Sequence, residues 1–528
     1  MKKIFAARRS MPMAANGMVV SSQPLATQAG LEILKRGGNA IDATVAMAAV
    51  LNVAEPMSTG IGGDAFILLY LAKGKELKAL NASGRAPYAA TLDYFRERKI
   101  AKIPDTGMLP VTVPGALHGW AEVVEQYGTR SLKELLQPAI QYAEEGFPVC
   151  EKTAHEWAKS KAKLSAHQNS AADYLPNRQA PRPGEIFRQK KLAASLRKIA
   201  EHGKELFYGG ELAEEIVRFS QENGGLLSLK DFQDHSSTWV EPIHTSYRGY
   251  EVYEMPPNTQ GMTVLQMLNM LEGFDPATLG YNSAAYVHAL IEIKKLAFED
   301  RDRYLADPEF APAPLGKLLS KAYAAERVKQ IDPNRAGEYR PGLGPAHGDT
   351  QYFCAVDKEG NAASFINSLF EGFGCGLVGG ETGIMLQNRG KLFSLDPAHP
   401  NCVAPHKRSA HTIMPAMVFK DNRPFMVFGV TGAHMQPQGQ VQVLANIIDF
   451  GMTIQEAMEA ARVNHLEGSE VALEEGIGAG VRRELRQKGH KVLKEANFGG
   501  AQGILIHPEY GTLMGGSDPR KDGCAMGF

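Results

Sequence analysis

The sequence is poor in what would tie it to metals, membranes or nucleic acid. Its five cysteines (Cys150, Cys354, Cys375, Cys402, Cys524) are odd in number, widely scattered and free of any C-x-x-C pair. That spacing supports neither a disulfide framework nor a zinc site. The fifteen histidines include no H-E-x-x-H, so no metal and no cofactor is expected. A net charge of −1 leaves no basic footprint for nucleic acid and no patch for anionic lipid. No apolar run approaches a membrane span, and the mostly apolar stretch Ala43 to Leu51 is short. The basic N-terminus lacks the apolar core of a secretory signal, because Arg8, Arg9 and Ser10 interrupt it. A cytoplasmic protein is the expectation.

What is present is an ordinary globular composition, 44% hydrophobic and 22% charged over 528 residues. Length alone favours several domains. The spacing of apolar residues predicts helices over 25–35, 40–53, 132–145, 190–202, 213–222, 263–271 and 284–306. A polar, Pro-rich segment at 169–184 reads as a surface excursion, and 247–253 as one strand. The glycine loop Ser58 to Asp64 reads as a crowded core turn. Residues 307–349 form a long connection with six prolines, in which only 318–331 has helical character. Such a loop is unusual unless it is functional or disordered. From 350 on the text is rich in strands, with hairpins over 350–367, 412–429 and 503–514 and helices over 438–450 and 454–463. Strands and helices in this order fit a layered α+β sandwich.

The most informative point is the peptide bond Asp349–Thr350. Gly and Pro dominate the text before it (Pro341, Gly342, Gly344, Pro345, Gly348). After it comes a β-rich run, a turn at Asp357-Lys358-Glu359-Gly360-Asn361, and a returning strand. A Thr hydroxyl is a weak nucleophile unless a base sits beside it. If the chain is cut before Thr350, the new α-amine is that base, with an ordinary pKa of about 7.7–8.0. The same text also reads as a plain surface hairpin that happens to begin with Thr.

The run D-T-Q-Y-F-C-A-V-D-K-E-G-N-A, followed by G-F-G-C-G-L-V-G-G-E-T-G-I-M-L-Q-N, resembles the start of the small subunit of the γ-glutamyltransferase family. Residues 17–43, V-P-G-A-L-H-G-W (113–120), M-P-P-N-T-Q-G (255–261), 297–310 and S-D-P-R (517–520) are similar to the family in the same order. The resemblance implies an N-terminal-nucleophile hydrolase with a four-layer αββα fold. It implies self-cleavage between Asp349 and Thr350 into portions 1–349 and 350–528, which share one core as a heterodimer. Assembly beyond that pair stays open. Thr350 is then both nucleophile and, once cut, the bearer of the base. Gly432 and Ala433, at a strand-to-helix turn where the family has Gly-Gly, are the expected oxyanion N–H donors. Ser368 stands where the family places a supporting Thr.

The substrate residues depart from the family. Ser83 occupies the place of its carboxylate-binding Arg, and Arg85 lies two positions later. Phe370 replaces an Asn, Arg389 and Leu392 replace the Gln and Asp that hold an α-amino group, and His411 and Thr412 replace a Ser pair. The loop from Asn388 to Lys407 is shorter than the family's lid, which predicts an open pocket. Two substrate classes follow: γ-glutamyl amides such as glutathione, or acyl amides without a free α-amine, for which Phe370 and Phe373 suit an apolar acyl group. A non-catalytic relative that binds an amide is the third reading. The G-x-G-x-x-G at 374–379 is set aside as a dinucleotide site, because strand text follows it where a helix is needed.

Overall fold

A computed structural model describes residues 9–338, 348–493 and 497–528. Two antiparallel seven-stranded sheets lie face to face. The first has the order Cys524–Gly527, Gly17–Ser21, Asp349–Asp357, Ala362–Phe370, Asp64–Leu71, Glu76–Ala82, Thr238–Val240. The second has the order Met13–Ala14, Leu513–Ser517, Ala501–Ile506, Arg423–Val430, Ala416–Lys420, Tyr250–Glu254, Ile243–Tyr247.

Alternation along one strand shows how the layers form. In Asp349–Asp357, Tyr352, Cys354 and Val356 join the core between the sheets, beside Met417, Val427 and Ile504. Phe353 and Ala355 point the other way, into a core shared with the helices Pro24–Lys35, Ala40–Ala54 and Leu132–Glu145. Both faces of the strand are covered, so it reads as an almost unbroken apolar run. The helix Ala40–Ala54 is buried along its whole length, which fits its lack of a polar face. Asn39 and Asp42 cap it reciprocally. Helices Gly261–Leu271, Ala284–Tyr304 and Met435–Ile448 cover the outside of the second sheet. The result is the expected four-layer αββα sandwich, with strands from both sides of position 350 interleaved in each sheet.

Four sequence expectations change. Residues 247–253 are not one strand: Ile243–Tyr247 and Tyr250–Glu254 form a hairpin around Arg248 and Gly249, both at positive φ (52° and 79°). Such two-residue turns match the twist of the strands. The 169–184 segment is not wholly a surface excursion. It contains the helix Gln168–Tyr174, and Tyr174 is buried against Trp157, Phe187 and Phe373. The 307–349 connection carries two short helices, Leu315–Leu318 and Lys321–Val328, and the Pro341–Pro345 text lies outside the described residues. A last strand, Cys524–Gly527, went unread; it pairs with Gly17–Ser21 at the sheet edge.

Candidate active site

Thr350 opens the central hairpin of the first sheet. Asp349 pairs with Phe370 and Gln351 with Asn367, so two residues, Ser368 and Leu369, oppose Thr350 alone. A bulge of this kind re-aims side chains. It brings the Ser368 hydroxyl 3.0 Å from Thr350 Oγ1 and 3.0 Å from the carbonyl oxygen of Asp349, while the Phe370 N–H donates to it at 2.8 Å. A serine hydroxyl has one proton and two lone pairs. The carbonyl can only accept, so Ser368 donates to it, and the Thr350 hydroxyl must donate to Ser368. One side chain thus bonds the Asp349 carbonyl and orients the hydroxyl beside it. Thr350 is only 1% exposed. An open cleft of about 1340 Å³ lies beside it, lined by Gly348, Asp349 and Gln351, while the 388–407 loop folds back through a Ser394–Cys402 bridge and packs Phe393 and Val403 into a small core of its own.

The strand Arg423–Val430 ends at Thr431, and the helix Met435–Ile448 starts four residues later. Between them Gly432 and Ala433 have φ of 107° and 51°. A positive φ costs a non-glycine residue about 1–3 kcal/mol, and such strain gathers at functional sites. Among the described residues neither N–H donates to an acceptor. Gly348 lies against this turn: a Cβ there would be 2.9 Å from Ala433 Cβ and 3.1 Å from the Phe370 carbonyl oxygen. The turn therefore packs against Gly348, the residue before Asp349. Gln260 Nε2 ties the turn down by donating to the carbonyls of Thr412 (2.7 Å) and Ala433 (3.1 Å).

Of the substrate residues read from the sequence, three come together. The Arg389 guanidinium lies 4.4 Å above the Phe370 ring and donates from Nη1 to Thr412 Oγ1 at 3.0 Å. Arg389 is wholly buried, and among the described residues its Nε and Nη2 have no hydrogen-bond partner. Burial pushes its guanidinium down to about 10, against the pull of Asp64 and Glu371, so it stays a cation at neutral pH. Phe370 pairs with Asp349 and has a φ of 80°. The cation therefore sits one side chain away from Asp349.

Arg85 and His411 do not belong with them. Arg85 forms a fork with Glu309 (3.1 and 2.9 Å) and lies 3.6 Å from Asp307. Its charge is matched, which removes it as a grip for a substrate carboxylate. His411 is fully buried, with Nε2 2.8 Å from Asp64 Oδ2 and Nδ1 3.2 Å from Asn258 Nδ2. Burial and Arg389 lower its pKa. Nδ1 also lies 2.8 Å from the Ser409 carbonyl oxygen, which can only accept, so both nitrogens face acceptors inside the protein and neither is left for substrate. Phe373 is core, edge-on to Trp157 and Tyr174, and does not face an acyl group.

Several residues of the site gave no signal in the sequence. Asp64 closes the glycine loop; its Oδ1 accepts from the N–H groups of Gly84 (2.8 Å) and Gly115 (3.2 Å) and from Gln387 Nε2 (3.0 Å). It joins four chain segments under the site. Gln260 was missed for the same reason: it acts through partners distant in sequence. His288, Glu292 and His490 bring potential metal-ligand atoms within 4.8 Å of one another. Their polar atoms already serve one another and the chain: His288 Nδ1 meets His490 Nε2 at 2.8 Å, His288 Nε2 meets the Asp332 carbonyl, and Lys295 donates to Glu292 at 2.8 Å. His288 and Glu292 lie on the helix Ala284–Tyr304, outside the second sheet, and His490 reaches them from just before the strand Lys491–Leu493.

A buried Thr at the head of a sandwich strand, a hydroxyl relay to the preceding carbonyl and a neighbouring pair of free N–H groups define a class, the N-terminal-nucleophile hydrolases. The chain belongs to the γ-glutamyltranspeptidase family, whose sequence model matches residues 26–528, and it is an enzyme of that family. It is 41% identical to the glutathione hydrolase-like YwrD proenzyme of Bacillus subtilis (strain 168), covering 97% of this chain and 98% of the relative. It is 38% identical to the acylase ACY 1 proenzyme of Pseudomonas sp. (strain V22), covering 98% and 95%. The crystal structure of cephalosporin acylase from Bacillus halodurans superposes with a TM-score of 0.94 at 42% identity, covering 100% of this chain and 98% of that one.

Proposed function

We propose that this enzyme is a self-processing amidohydrolase that forms its acyl-enzyme on Thr350. Its preferred substrate is an amide whose acyl chain carries a carboxylate and no α-ammonium. In maturation Thr350 Oγ1 attacks the Asp349 carbonyl carbon. The C–N bond breaks, the nitrogen takes up a proton and becomes the α-amine, and water hydrolyses the resulting ester to free the Asp349 carboxyl. In turnover the α-amine takes the Thr350 proton as the hydroxyl attacks the substrate amide. The Gly432 and Ala433 N–H groups face the oxyanion. The leaving amine departs protonated, and water or a competing amine releases the acyl group.

Arg389 is the observation that supports the acyl preference. A buried guanidinium with two unpartnered nitrogens is costly and is matched by a carboxylate, which arginine grips with two parallel bonds. The two carboxylates whose charge reaches it are already taken, Asp64 by Gly84, Gln387 and His411 and Glu371 by Lys391 (2.7 Å) and Asn388 (2.9 Å). A substrate ammonium next to Arg389 would meet like charge. The names of two relatives, an ACY 1 acylase and a cephalosporin acylase, point the same way. The test compares a glutaryl anilide with a γ-glutamyl anilide. We expect kcat/KM for the glutaryl compound to be at least about tenfold higher, which is about 1.4 kcal/mol. A preference for γ-glutamyl would overturn this reading.

A further inference from the structure

The side chain of Asp349 is not idle at the bond it precedes. Its Oδ1 accepts from the Thr350 N–H at 3.0 Å, the nitrogen that leaves during self-cleavage, and lies 3.4 Å from Lys521 Nζ. Lys521 comes from the loop after Leu513–Ser517, far away in sequence, and most of its side chain is buried. Behind it is Glu55, at the end of the helix Ala40–Ala54, fully buried and bonded to the Ser22 hydroxyl at 2.5 Å. Asp349, Lys521 and Glu55 line one wall of a cleft of about 1340 Å³ that borders the cut. The charges in contact with this group are few. Lys521 faces Asp349, Glu55 and Glu156; Glu55 faces Lys521, Asp349 and Asp522, with the Cys150 thiol nearby. The ammonium pairs with Asp349 and also feels the charge of Glu55, which lines the same cleft.

We propose that Lys521 is a positioning residue for self-cleavage, holding the Asp349 carboxylate on the scissile N–H, and that Glu55 competes for the same ammonium and so makes processing depend on pH. As Thr350 Oγ1 bonds to the Asp349 carbon and the C–N bond breaks, the nitrogen changes from amide to amine and gathers positive charge. A carboxylate 3.0 Å away stabilises that charge where it develops. It can do so only while its rotamer is fixed, and Lys521 fixes it. Burial raises Glu55 to about 7, with Lys521 and Ser22 opposing. Below that pH Glu55 is neutral and leaves the ammonium to Asp349. Above it a second carboxylate draws the ammonium away.

This inference rests on the self-processing reading. The experiment follows conversion of full-length precursor to two fragments over time by denaturing electrophoresis, from pH 5.5 to 8.5. Lys521→Met should slow conversion by about tenfold to a hundredfold, the usual cost of a misplaced reacting group. Lys521→Arg should restore most of the rate, since charge and reach are kept. The rate ratio of Glu55→Gln to wild type should be near one at pH 5.5 and rise through pH 7. Activity per cleaved molecule should be unchanged in Lys521→Met, which separates positioning of the cut from damage to turnover. If wild type never cleaves, the self-processing reading itself fails. If wild type cleaves and Lys521→Met, folded by circular dichroism, keeps pace with it, the inference alone is overturned. A Glu55→Gln ratio that stays flat across the range overturns the competition.

Discussion

Gly63 packs so closely on Ser368 that a Cβ at Gly63 would stand 2.3 Å from the Ser368 carbonyl oxygen. The same loop accepts the Leu369 N–H through the Ser58 carbonyl at 3.1 Å. The glycine loop therefore clamps the bulge that aims Ser368 at Thr350. Gly63→Ala should push the bulge away, lowering stability by about 1–3 kcal/mol, as overpacked core positions do. Self-cleavage should slow more than the loss of stability explains, and thermal melting together with a processing time course checks both.

Ser368→Ala removes the only hydroxyl between Thr350 and the Asp349 carbonyl among the described residues. Self-cleavage should fall by about a hundredfold or more, the scale seen when one oxyanion donor is lost. Ser368→Thr keeps the hydroxyl and should retain most of the rate. A Ser368→Ala precursor that processes at the normal rate would remove Ser368 from the chemistry.

Arg389→Met replaces a buried, half-satisfied cation with an apolar chain of similar length. Folding stability should hold or rise, because a desolvated charge is removed. The kcat/KM for a glutaryl anilide should drop by about 30-fold or more, the 2–5 kcal/mol of a truncated buried charge contact, while an uncharged acyl anilide should be nearly unaffected. Equal losses on both substrates would assign Arg389 to structure only.

Glu254 lies between the layers, wholly buried, with neither carboxylate oxygen in a good hydrogen bond among the described residues, and burial raises its pKa well above the ordinary value against the pull of the Met255 backbone. The folded protein keeps the proton while the unfolded chain loses it above about pH 4.5. Stability should therefore be fully present below the unfolded pKa and fall as pH rises towards the folded one, at about 1.4 kcal/mol per pH unit. Glu254→Gln, neutral at all pH, should melt like wild type at pH 4 and at a higher temperature at pH 8. Identical melting at pH 8 would show that Glu254 ionises without cost.

The hairpin at 350 and the helix at 40–53 were legible because local text carries them, an apolar run with a turn at 357–361 and a second apolar run, while the four-layer order came from the family resemblance. The Thr350–Ser368 pair was legible because both residues belong to one hairpin. Long-range partners were not. Nothing near Arg85 announces Glu309, nothing near His411 announces Asp64, and these two pairings take both residues out of substrate recognition. Arg248-Gly249 was lost inside a run of aromatics that reads as a single strand. Arg389 was found as a departure from a pattern, but its stacking on Phe370 exists only once the 388–407 loop folds against the hairpin.

The central claim is that scission before Thr350 creates the catalytic amine. Intact mass and N-terminal sequencing of purified active enzyme test it directly. The account predicts two fragments, one beginning at Thr350, and a single inactive chain for Thr350→Ala. Fully active enzyme in which Thr350 is still joined to Asp349 would contradict it.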